Sequence, residues 1–163
     1  MIVLKSDREI AIMRDAGRIA AEAQELISQA ICPGVTTREL DSIAKRYIEK
    51  CGAKPSFLGY CGYPATINAS INDEVVHGIP GDRELREGDI VSIDLGAKYK
   101  GFHSDCARTY AVGKITEEAA RLISVTEQAF FAGMNAFQEG AHLVSISAAV
   151  QRTAESAGFS VVR

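Results

Sequence analysis

The sequence predicts an α+β domain in which pairs of amphipathic helices alternate with groups of short strands. Three observations lead there. Two helical segments with capping boxes open the chain, strand-like segments follow, and a second helical pair matches the first at an offset of 106 residues.

The first helix is announced by Ser6 with Glu9 three positions on, the pattern in which hydroxyl and carboxylate each satisfy a free backbone N–H of the first turn. Ile10, Met13, Gly17, Ala20, Ala23, Ile27 and Ala30 then recur at helical spacing, and the helix should end near Cys32-Pro33-Gly34. A second box, Thr36 with Glu39, opens a helix with the apolar stripe Leu40, Ile43, Ala44, Tyr47 and Ile48, closed by Gly52. Strand-like segments follow at Thr66 to Ile71, Val75 to Ile79, Ile90 to Leu95 and Phe102 to Val112. Helical period returns with Thr116 as cap and Ala119, Leu122, Ile123, Thr126, Phe130, Gly133, Met134 and Phe137 as the expected buried stripe. A last helix runs from about Leu143 through Ile146, Ala149, Val150 and Ala154 to Gly158.

The offset of 106 places Gly34 on Gly140, Leu40 on Ile146, Arg46 on Arg152, Glu49 on Glu155 and Gly52 on Gly158. The chain therefore reads as an internal duplication within one domain of residues 1–163. Residues 1–112 form a first helix-helix-strand half, and 113–163 begin a second, with Phe159-Ser160-Val161-Val162 as the start of its first strand. Chance likeness between amphipathic helices is the competing explanation, and the glycine at both helix ends argues against it.

Composition narrows the function. With 47% hydrophobic and 24% charged residues the chain describes a soluble globular domain. The net charge is −3, and the 18 Lys and Arg are scattered, so there is no basic footprint for nucleic acid or an acidic membrane. No apolar run reaches membrane-spanning length and the opening lacks a signal-peptide stretch, so the expected location is cytoplasmic. The four cysteines, Cys32, Cys51, Cys61 and Cys106, lack CxxC spacing and read as reduced thiols. Cys61 lies in the turn-rich loop Gly59-Tyr60-Cys61-Gly62-Tyr63-Pro64, where it is either filler or the lining of a pocket.

The chemistry centres on Asp94 and Asp105. A two-residue turn at Tyr99-Lys100 would set Asp94 directly opposite Asp105 across a hairpin. Two carboxylates so close need a cation, a shared proton or full solvation, which reads as a divalent-metal site. His103 shares parity with Asp105 and is a candidate ligand or supporting partner, though an unspecialised sheet residue is the simpler reading. His77 lies where a strand end passes into a Gly/Pro turn, and His142 aligns with Thr36 at a helix start, where capping or solvation suffices.

The run Gly59 to Pro64, the run Ser70-Ile71-Asn72-Asp73-Glu74-Val75-Val76-His77-Gly78-Ile79-Pro80, and the segments Gly88 to Asp94 and Gly101 to Asp105 resemble the type I methionine aminopeptidases. The resemblance implies a pita-bread fold whose second pseudo-symmetric half is incomplete here. It implies hydrolytic removal of the initiator methionine from nascent polypeptides with divalent metal, two ions per complete site, drawn from Co, Mn, Fe or Zn. By position, Asp94 and Asp105 correspond to metal ligands, and His77 to the histidine that contacts the scissile peptide and handles protons. Tyr60, Cys61 and Tyr63 correspond to the methionine pocket, while Phe57 and Asn68 stand where some relatives have cysteines. The family's remaining ligands, one His and two Glu, fall beyond Arg163, so the chain reads as a fragment, a shortened form or one half of a split enzyme. The implied partners are peptides with N-terminal methionine and, through them, the ribosome. Two alternatives stand beside this reading: a non-catalytic remnant that binds peptide or protein through the same cleft, and a prolidase- or creatinase-type metallopeptidase.

Overall fold

The structure, a computed structural model, describes residues 3–162. It divides into two compact units, Met1–Ile115 and Thr116–Arg163. The first contains helices α1 (Asp7–Ala30) and α2 (Thr37–Lys50) and strands β1 (Lys54–Pro55), β2 (Ile67–Ile71), β3 (Ile90–Leu95), β4 (Ala97–Tyr99), β5 (Phe102–His103) and β6 (Cys106–Ala111). The strands form two antiparallel three-stranded sheets, ordered β1-β4-β5 and β2-β3-β6.

Both capping boxes form. Ser6 and Thr36 accept the N–H groups of Glu9 and Glu39 at 3.4 and 3.2 Å, and the glutamates return to the cap N–H groups at 2.7 and 2.8 Å. The N–H groups of Ser6 and Thr36 hold these two carboxyls below the ordinary glutamate range. A depressed carboxyl adds stability above its unfolded value of about 4.3 and loses it as the pH falls further, so both helix starts should loosen in acid. At neutral pH, Thr36→Ala should cost about 1 kcal/mol in urea unfolding, with an unchanged m-value. The second helix ends as expected, with Gly52 left-handed (φ 71°) and its N–H on the Glu49 carbonyl at 3.0 Å.

Ile19, Ala20, Ala23 and Ile27 of α1 and Leu40, Ala44 and Ile48 of α2 join Ile67, Ala69, Ile71, Val91, Ile93 and Leu95 in one core. The buried stripe of α1 begins at Ala16, while Ile10 and Met13 are each 39% exposed. Gln24 is the polar member of this layer. Its amide donates to the carbonyls of Ile93 (2.9 Å) and Cys106 (3.2 Å), and its carbonyl accepts from the Tyr110 hydroxyl at 3.0 Å, tying α1 to β3 and to the start of β6.

Several strand expectations are corrected. Residues 75–79 form no strand, because Asn72 (φ 57°) and His77 (φ 62°) are left-handed and break the extended run, leaving Val75, Val76 and Ile79 more than 60% exposed. The segment 102–112 is two strands in different sheets, parted at Ser104-Asp105. The hairpin turns at Lys100-Gly101, both with positive φ (46° and 91°), so Tyr99 pairs with Phe102 and Asp94 with Ala107.

The second unit consists of α3 (Glu117–Ala136) and α4 (Val144–Ser156). Thr116 caps α3 through the Ala119 N–H at 3.2 Å. Gly133 sits against Ile146 and Val150, where a Cβ would lie 2.9 Å from the Val150 methyl. The expected buried stripe of α3 is corrected: only Ala129 and Gly133 are buried, whereas Phe130, Met134 and Phe137 are 60, 55 and 77% exposed. One helix partner covers one face, and a stripe that wide needs more than α4. Residues 159–162 carry no strand pairing, having no partner strand among the described residues. Gly34, Gly140, Gly52 and Gly158, the glycines matched at the 106-residue offset, are all left-handed, at 92°, 80°, 71° and 81°.

Candidate active site

Tyr60, Cys61, Tyr63, His77, Asp94 and Asp105 all line one cleft in the first unit. Its walls are Phe57, Tyr60, Cys61, Gly62, Tyr63, Pro64, Asn68, His77, Ile79, Asp94 and Asp105, enclosing about 670 Å³. Asp94 and Asp105 both line the cleft, although the hairpin turns one residue later than the sequence suggests. Continuing the observed register sets Asp105 across from Gly96, one step diagonal to the Asp94 and Ala107 pair. The neighbours of the two carboxylates on that face, Gly96 and Ala107, are small and leave the space between them open.

Gly96 is also where the hairpin crosses between sheets. A Cβ there would lie 2.4 Å from the Ser104 carbonyl oxygen and 3.0 Å from the Ser56 side chain. His103 falls on the far side of this crossing, its Nδ1 2.9 Å from the Ser56 hydroxyl, and does not line the cleft. The parity argument for it assumed one continuous strand, which the break at Ser104-Asp105 removes.

Asp94 is half-buried. Burial pushes its carboxyl above the ordinary aspartate range; the Asn68 amide opposes that, the Asp105 charge adds to it, and His77 opposes it. Asn68 is the direct cross-strand partner of Asp94 and donates from Nδ2 to Oδ2 at 3.0 Å. The Asn68 contact was not foreseen, and only the β2 to β3 register reveals it.

The aromatic wall is a single turn, Tyr60–Gly62, in which Cys61 (φ 48°) stands between the left-handed Gly59 and Gly62. Cys61 therefore faces the cleft as one of its lining residues. The Tyr63 hydroxyl donates to the carbonyls of Ile67 (2.9 Å) and Gly78 (3.3 Å), joining this wall to the loop that carries His77. Burial, with the charges of Asp41 and Asp94, pushes the Tyr63 phenol up to about 12, so it remains a neutral donor. Asp41, a further residue the sequence did not single out, accepts the N–H groups of Thr66 (2.7 Å) and Ile67 (3.0 Å) and anchors the start of β2.

Gly78 fixes the His77 loop against β2: its N–H donates to Ser70 Oγ at 3.1 Å and its carbonyl accepts the Ala69 N–H at 2.8 Å. A Cβ on Gly78 would lie 2.3 Å from the Ala69 carbonyl oxygen. Gly78→Ala should therefore cost about 1–3 kcal/mol and speed hydrogen exchange at the Ala69 amide, with the β3 to β6 ladder unaffected.

Among the described residues no three His, Cys, Asp or Glu side chains gather as a ligand set. The carboxylate pair nevertheless fits a hard divalent cation in part: both groups are oxygen donors on one cleft wall, and their mutual repulsion is what a cation would relieve.

Two carboxylates and an imidazole line one cleft of a two-sheet α+β unit. The model of metallopeptidase family M24 matches residues 11–163, and the chain belongs to that family. It is 50% identical over 163 residues to a methionine aminopeptidase of Clostridium perfringens, covering 100% of this chain and 66% of that protein. A methionine aminopeptidase structure from Rickettsia prowazekii superposes with a TM-score of 0.98 at 39% identity, over 100% of this chain and 66% of that one. An Xaa-Pro dipeptidase from Bacillus anthracis matches at TM-score 0.84 and 29% identity, over 95% of this chain and 42% of that one. The chain spans 66% of the length of the curated relatives it matches first. The fold is accordingly the pita-bread fold of this family, represented in part.

Proposed function

We propose that this chain contributes the cleft of a metal-dependent methionyl aminopeptidase, which removes N-terminal methionine from nascent polypeptides in the cytoplasm. The observation that carries this reading is the convergence of Asp94, Asp105, His77 and an aromatic pocket on one cleft. Asp94 and Asp105 would hold divalent metal, two ions in the complete site, with Co, Mn, Fe and Zn all suited to the donors. Bound there, the metal supplies a Lewis acid that polarises the amide carbonyl and makes water more acidic.

The chain's own residues do the rest. Tyr60, Cys61 and Tyr63, with Phe57 also in the lining, bind the methionine side chain, whose thioether packs favourably at aromatic edges. His77, on its clamped loop, reaches the scissile peptide and moves a proton there. By holding the metal, Asp94 and Asp105 would set where the carbonyl lies, so that a small displacement of either is costly.

Two carboxylates leave most of a five- or six-ligand shell to water, so the 163-residue chain should bind Mn²⁺ weakly and at best turn over slowly. Supplying the remaining third of the Clostridium perfringens relative should restore cleavage of a Met-Ala-Ser peptide. A complemented complex that folds yet leaves this peptide intact, while binding it, would favour the alternative of a non-catalytic peptide-binding member.

A further inference from the structure

We infer that Ser70 is a positioning residue for His77: its hydroxyl fixes the peptide between His77 and Gly78, and so the direction from which the imidazole reaches the cleft. This rests on the reading of His77 as the group that moves a proton at the scissile peptide. Ser70 is 3% exposed and does not line the cleft, so it acts only through another residue. It pairs with Ser92 in the β2 to β3 ladder, the row next to Asn68 and Asp94 on the same face of the sheet. Ser92 bonds Thr109 on the following strand at 2.8 Å, whereas Ser70 Oγ leaves that row and accepts the Gly78 N–H at 3.1 Å.

That bond matters because His77 is left-handed, at φ 62°, a conformation that is costly for a residue with a Cβ and lasts only where the surroundings determine it. Burial does not hold it, since the neighbouring Val75, Val76 and Ile79 are 65, 64 and 62% exposed. Hydrogen bonds hold the loop instead, at two places: the Ile71 N–H donates to the Glu74 carboxylate at 2.8 Å, and the backbone of Gly78 is tied to β2. The two sides of Gly78 do different things. Its carbonyl, which accepts the Ala69 N–H at 2.8 Å and the Tyr63 hydroxyl at 3.3 Å, docks the loop. Its N–H shares one rigid peptide plane with the His77 carbonyl, so the Ser70 bond sets the ψ angle of His77. Without the hydroxyl the loop stays docked while that plane is free to rotate, and a catalytic group displaced by about 1 Å loses up to about 100-fold in rate.

The test is kinetic, in the chain complemented by the remaining third of the Clostridium perfringens relative, for the parent, Ser70→Ala, His77→Ala and the double variant on a Met-Ala-Ser peptide. Ser70→Ala should lower kcat about tenfold and leave KM within about twofold, His77→Ala should lower kcat about 100-fold, and the double variant should match His77→Ala. In the 163-residue chain itself, nitrogen relaxation should show the order parameter of the Gly78 amide falling in Ser70→Ala while that of Ala69 holds. Parental kcat in Ser70→Ala, a double variant well below His77→Ala, or an unchanged Gly78 order parameter overturns the role of Ser70 alone. A His77→Ala enzyme with parental turnover, or a folded parent complex with none, overturns the reading of His77, and the role of Ser70 with it.

Discussion

Asp105→Ala, in the chain complemented by the remaining third of a relative, should lower kcat/KM for a Met-Ala-Ser peptide by about 10³-fold. The magnitude follows from the several kcal/mol that a metal contributes to a developing oxyanion, at about 1.4 kcal/mol per tenfold. Folding should not suffer. Asp105 is exposed, and its charge helps to raise the Asp94 carboxyl above the ordinary range, after burial and against the Asn68 amide. Removing it relieves a repulsion in the metal-free chain, so the melting temperature should hold or rise. The pH dependence has a definite sign. A carboxyl raised in the folded state stabilises the protein below its unfolded value, about 3.9, and that contribution is lost as the pH climbs through the folded value. The Asp94 part of metal-free stability should thus fade with rising pH, opposite to the capping glutamates, and Mn²⁺ should reverse the trend. An Asp105→Ala enzyme that retains parental turnover would remove the carboxylate pair from the mechanism.

Ile93→Ala should be the most damaging single truncation of the core, at about 2–5 kcal/mol in urea unfolding. Ile93 is fully buried on the central strand of its sheet, and its carbonyl accepts the Gln24 amide. Alanine leaves a cavity between helix and sheet that a strand tied on both edges, to β2 and β6, cannot collapse to fill. The same substitution at exposed Ile10 should change stability by less than about 0.5 kcal/mol, which separates burial from loss of side-chain size.

What the sequence disclosed depended on how local the determining contacts are. Ser6 with Glu9 and Thr36 with Glu39 are three-residue signals, and both helix starts form as read. The direct pairing of the two carboxylates is lost, Asp94 facing Ala107 instead, but they still share a face, because moving a two-residue turn by one position shifts every partner by two. The overlooked sign was Gly101 following Lys100, since the turn needs two successive positive φ values. Val75 to Ile79 looked like a strand by composition. Its conformation is decided instead by Asn72, whose side chain accepts the Ile90 N–H at 3.0 Å and donates to Asp89 at 2.8 Å, holding a left-handed turn that composition does not reveal. Asn68 was equally hidden, because its significance depends on a strand pairing 26 residues away in sequence.

The two carboxylates come from positions eleven residues apart on one hairpin. Closing so short a loop carries little entropy cost, and hairpins form in about 1–10 μs. In a refolding chain the pair can therefore meet before β2 arrives with Asn68, so that ion capture and strand docking become competing events in the order of folding. Divalent cations present during refolding should change the rate at which β2 joins the sheet, and a chain refolded without them should pass through a state in which the hairpin is formed and its two acids repel.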